Sequence, residues 1–166
     1  MKLKTVIVGL SAVGVCALTS GCPRTEPNRL DTLPKVRMTI KGQRFELWVA
    51  HSLAEQNKGL MRIKREDMAP LSDGTKRGML FVFDYSTRQS FWMKNTLIRL
   101  DIAYITNDGT VVGTHTMEPM DTRHNKYPAE KPYRYAIEVN AGVLKELGVG
   151  KGDHIDIPAS VLKDKS

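Results

Sequence analysis

The sequence predicts an α+β fold: a compact, mostly antiparallel and barrel-like β-sheet with two short helices. Three observations predict it. Apolar and polar residues alternate over several short runs, which is the period of half-buried strands. Glycine-centred turn signals separate those runs. Only two segments carry helix signals, and no regular alternation of strand and helix points to a doubly wound sheet.

The 166 residues are expected to form one domain. Residues 1–21 stand apart from it. Lys2 and Lys4 lead into the apolar run Val6 to Leu18, followed by "LTSGC". A basic start, a short apolar run and small residues describe a secretory signal. The run is shorter than the roughly 20 apolar residues that span a bilayer. The small residues before Cys22 resemble the lipobox of bacterial lipoproteins, with Cys22 as the lipidated residue and Thr19 where leucine is usual. An ordinary secretory signal with an incidental cysteine is the other reading. The expected location is extracytoplasmic, with the chain lipid-anchored at the bacterial envelope through Cys22.

Removing residues 1–21 takes Cys16 and two lysines, so the formal charge of +7 becomes +7 − 2 = +5. No cysteine is then left for a disulfide, a zinc site or a thiol nucleophile. The basic residues fall in short clusters such as "RIKRE" from Arg62, the pattern of a solvated surface. They are not interleaved with aromatics, so nucleic acid is not an expected partner.

The elements follow in order. Residues 22–35, rich in proline, read as a tether. The globular domain is expected over 36–158, with 159–166 as a tail. Val36, Met38 and Ile40 alternate, as do Phe45, Leu47 and Val49, and Lys41-Gly42-Gln43 supplies a hairpin turn. Ser52 and Glu55 have capping-box spacing, and Gly59 can end that helix. A long polar connection covers 62–77. Strands are expected at Gly78–Phe83, Ser90–Lys94 and Leu100–Ile105, and Asn107-Asp108-Gly109 turns the chain into Val111–Met117. A second long loop, 118–132, is of a length often tied to function. "YRYAIEVN" is a strand, after which Asn140 can cap a short helix ending at Gly148. "GKGDHIDI" reads as a turn and a last strand.

The chain resembles the domain of unknown function 192 family. The matching pieces are Gly59-Leu60-Met61, "GMLF" from Gly78, "FWMKNT" from Phe91, "LDI" from Leu100, Pro119, "AIEVNAG" from Ala136 and "GVGKGD" from Gly148. They cover about residues 36–158, with Arg99 where the family usually has proline. The resemblance implies a compact β-rich fold, often exported, and brings no activity with it.

Function therefore rests on the residues. In "FWMKNT", three large apolar side chains run into Lys94 and Asn95. On a strand, Lys94 leaves a buried environment and needs a partner, for which Asp101 and Glu138 are the candidates. That arrangement is coherent as architecture alone. It also reads as a pocket floored by Trp92 and Met79, with Lys94, Asn95 and Asp101 as its orienting polar groups. Glu138 and Asn140 share a strand face, which reads as polar and outward.

The candidate ligand-binding residues are thus Trp92, Lys94, Asn95, Asp101 and Glu138, with the 118–132 loop beside them. The expected role is non-catalytic binding of a small or glycan-like ligand, or of an envelope protein, with no cofactor. One alternative is a hydrolase-like enzyme using Lys94 and Asp101, although no nucleophile elbow, thiol or HExxH-type spacing accompanies them. A second is cuprous copper held by His115, Met117 and Met120, since thioether and imidazole ligands suit that ion.

Overall fold

The computed structural model describes residues 28–123 and 126–162. The expected signal, Cys16, Cys22, His124 and residues 163–166 lie outside them.

The alternating N-terminal residues form the hairpin of β1 (Lys35–Ile40) and β2 (Gln43–Ala50). Its two-residue turn has Lys41 at φ 49° and Gly42 at φ 83°. Left-handed values at both positions match the natural twist of paired strands. The Ser52–Glu55 capping box forms and starts α1 (Leu53–Lys58), which Gly59 ends.

The chain then enters β3 (Lys76–Thr87), β4 (Leu100–Ile105), β5 (Val111–Met117) and β6 (Tyr133–Asn140). Helix α2 (Val143–Glu146) and a 3-10 turn (Ala159–Leu162) follow. The strands form one sheet in the order β1-β2-β3-β6-β4-β5. Every pairing is antiparallel except β2 with β3, which the crossover through α1 joins in parallel. The α+β fold is thus as expected. The sheet is open, with β1 and β5 as its edges, so it is not a closed barrel.

Both faces of the sheet are buried. One carries Leu47, Leu80, Ile137 and Val139, with Val143 and Leu144 of α2 packed on them. The other carries Trp48, Met79, Phe81, Ile102 and Tyr104, covered by Met68, Met93 and Tyr127 from the connections. Among the described residues, no helix is long and apolar enough to cross a membrane.

Three local expectations are corrected. Ser90–Lys94 is not a strand: Phe91 makes a single bridge to Tyr127, and the chain turns with Asn95 at φ 56°. Its backbone partners come from connections, since Met93 N–H donates to the Asp121 carbonyl and Arg62 N–H to that of Asn95. The expected last strand shrinks to one bridge, Thr110 with His154. Asn140 does not cap α2, because its amide donates to the Met68 carbonyl at 2.8 Å.

Packing also extends beyond 36–158. Asn28 donates to the carbonyls of Glu55 and Gly59 at 3.0 and 2.7 Å, and Leu33 and Val161 are buried.

Candidate functional site

The turn that replaces the expected strand shapes the site. Residues 93–96 are held between two neighbouring turns: Arg62 N–H reaches back to Asn95, and Met120 N–H donates to the Thr96 carbonyl. Met93 is driven into the core, while Phe91 and Trp92 stay at its edge. Opposite them runs α1, which buries none of its residues and so leaves a gap above β3. That gap is a cleft of about 80 Å³. Its aromatic wall is Phe81, Phe83, Phe91 and Trp92, with Phe81 and Phe91 edge to face at 4.9 Å. Gln56, Gln89, Ser90 and Thr96 supply uncharged polar groups, and Leu53 stands 68 % exposed in the lining.

Glu138 of β6 also lines this cleft, and it is the one acid that does so. It pairs across the sheet with Met79 and Ile102, and is 4 % exposed. The outward polar face read from the sequence is therefore a covered face. Glu138 has no hydrogen-bond or ion-pair partner among the described residues. Burial pushes its carboxyl up from the usual 4.5 to about 8, because charge is costly in apolar surroundings. Tyr104, its neighbour on β4, is also held protonated by burial, and its hydroxyl donates to the Tyr127 carbonyl. An acid in this setting is neutral at neutral pH. It can donate a hydrogen bond, or ionise when a cation arrives.

The other sequence candidates separate. Trp92 is in the cleft wall and 37 % exposed. Lys94 is exposed, with its ammonium over the Trp92 ring, 5.2 Å from the centroid. It is not a buried cation, and the pairing with Asp101 or Glu138 is not formed. Asn95 makes the turn. Asp101 is 2 % exposed and fully engaged: it accepts from Gly142 N–H at 2.8 Å, Leu144 N–H at 3.1 Å and the Thr116 hydroxyl at 2.7 Å. It caps the first turn of α2 from a neighbouring strand and does not line the cleft. Neither Lys94 nor Asp101 lines the cleft.

His115 bonds the Pro128 carbonyl through Nε2 at 2.8 Å, Met117 is fully buried in the core, and Met120 is 54 % exposed. The 118–132 loop is anchored at Tyr127, whose hydroxyl accepts from Glu118 N–H and donates to Asp121. A second cavity, of about 210 Å³, is lined by Arg65, Ile98, Arg99, Asn140 and Ala141. There Arg99 is held by Glu118 and Asn140 by Met68.

Of the sequence candidates, Trp92 and Glu138 line the cleft; Gln56, Phe81, Phe91 and Thr96, which also line it, were not among them. The sequence spacing between α1 and Phe91 gives no signal that they meet.

The geometry defines an open-sheet α+β domain with an aromatic cleft over a buried acid. The chain belongs to the DUF192 family, described as "Uncharacterized ACR", whose model matches residues 36–157. A suggested transcription regulator from Sinorhizobium meliloti 1021 is similar in structure, with a TM-score of 0.63 and 32 % identity over 75 % of this chain and 94 % of that one. A protein of unknown function from Novosphingobium aromaticivorans DSM 12444 has a TM-score of 0.63 and 28 % identity, over 88 % of this chain and 100 % of that one. No curated protein matches.

Proposed function

We propose that the protein binds a small ligand in the cleft above Glu138 and does no chemistry on it. The observation that carries this reading is a carboxyl that lines the cleft, on a residue 4 % exposed, with no hydrogen-bond or ion-pair partner among the described residues. A buried polar group left unpaired destabilises a fold by roughly 1–3 kcal/mol, and such groups gather where a ligand supplies the missing contact. Convergent polar groups in an otherwise aromatic cleft are the usual form of such a site.

The proposal places this site at the bacterial envelope. The support is the sequence of residues 1–22: a basic start, a short apolar run and small residues before Cys22. Cys22→Ser is expected to abolish acyl labelling and release the protein from membranes. Continued labelling of that variant would overturn the anchor.

The binding site is tested by titrating an isotope-labelled full chain with a fragment library and following amide shifts. Shifts centred on Phe91, Trp92, Thr96 and Glu138, with the ligand recovered unchanged, are the expected outcome. Conversion of the ligand would replace binding with catalysis. Shifts centred on His115 and Met120 would move the site.

A further inference from the structure

Resting on that reading, we infer that the ligand of the Glu138 cleft is an organic cation, an ammonium group carried on an apolar body. The inference deepens the proposed site from its own chemistry. The chain has 25 lysines and arginines against 18 acids, yet no described cation pairs with Glu138. The acid faces an aromatic wall, and rings attract cations through their electron-rich faces. Trp92 already does so on the protein's own account, with the Lys94 ammonium over its ring. The exposed apolar surface of Leu53 and Trp92 offers contact for the body of the ligand. A small cleft, a ring of aromatics and one carboxylate together complement an alkyl or aryl ammonium.

The neighbours of the carboxyl fix how binding depends on pH. Tyr104 faces it from β4 and keeps its proton. The lining residues of β3, Phe81 and Phe83, and of the following connection, Gln89 to Trp92, are uncharged. Lys58 of α1 also lines the wall and is partly exposed. Near neutral pH the empty cleft holds a protonated Glu138. Binding of R–NH3+ then breaks the carboxyl O–H bond, releases that proton to solvent and leaves a carboxylate–ammonium pair. Affinity for the cation is therefore expected to rise about tenfold per pH unit below the carboxyl's own midpoint, and to level off above it.

Benzylamine and benzyl alcohol distinguish the charge, with methyl glucoside as a sugar probe. Calorimetry on the full chain, in buffers of different ionisation enthalpy, measures both affinity and proton release. The expected result is benzylamine binding at least about tenfold tighter than benzyl alcohol, with close to one proton released per ligand near pH 6. Glu138→Gln, which keeps the shape, is expected to remove both the preference and the release. Equal binding of amine and alcohol, or preference for the glucoside, at the same cleft residues would overturn the cation class and leave the binding site standing. Amine binding with no proton release and no loss in Glu138→Gln would also overturn it. If no probe or library fragment shifts the cleft residues, the binding reading itself fails.

Discussion

Glu138 and Asp101 are the two buried acids of the described residues, and their surroundings give them opposite roles. Asp101 is saturated by two backbone amides and a hydroxyl, so truncating it leaves three donors unmet. Asp101→Ala is expected to destabilise the protein by roughly 3 kcal/mol or more in denaturant unfolding. Lys94→Met should change stability by less than about 1 kcal/mol, because it removes one exposed cation–ring contact. A large loss in that variant would restore the buried ion pair that the sequence suggested.

Glu138 behaves differently with pH. Its folded value lies above its unfolded one, so the folded protein keeps the proton longer. In acid, both states are protonated and the carboxyl adds no ionisation penalty. Stability is lost as pH rises from the usual carboxylate range through about 8, and levels off above it. Relative to the native protein, Glu138→Gln should gain about 5 kcal/mol between roughly pH 4 and pH 9. A pH-independent difference in thermal unfolding would contradict this.

At the scale of elements, the strands read well and the connections did not. β1, β2, β4, β5 and β6 form where strands were expected, although only β1 alternates cleanly in burial, and α1 follows its capping box. "FWMKNT" misled because three large apolar residues resemble a buried strand, whereas only Met93 is fully buried and the backbone is bonded to loops. Such bonds depend on residues far along the chain, and local pattern does not encode them. Gly78, in the matched "GMLF", shows a different constraint. A β-carbon there would run into the Glu138 carbonyl oxygen, with Leu47 and Val139 side-chain atoms each at 2.9 Å. Gly78→Ala should therefore force β3 away from β6 and destabilise the sheet by roughly 1–3 kcal/mol. An unchanged midpoint of unfolding would show that the strands have room to separate.

At the scale of the whole molecule, burial of both sheet faces explains what was legible. Trp92 was a candidate as the floor of a pocket and Glu138 as a charge partner for Lys94, while strand alternation placed Glu138 on an outer face. Whether a face is covered depends on the connections packed over it, here residues 59–68 and 89–98 with the 118–132 loop. Once they close over β6, an ordinary polar position becomes a buried acid at the base of an aromatic cleft. The account depends on that acid being unpaired. The most direct measurement is a carbon-13 titration of the Glu138 side-chain carboxyl in the ligand-free full chain. The account predicts a midpoint near 8. A midpoint near the usual 4.5 would mean that the carboxyl is solvated or already paired, and would contradict the proposed site.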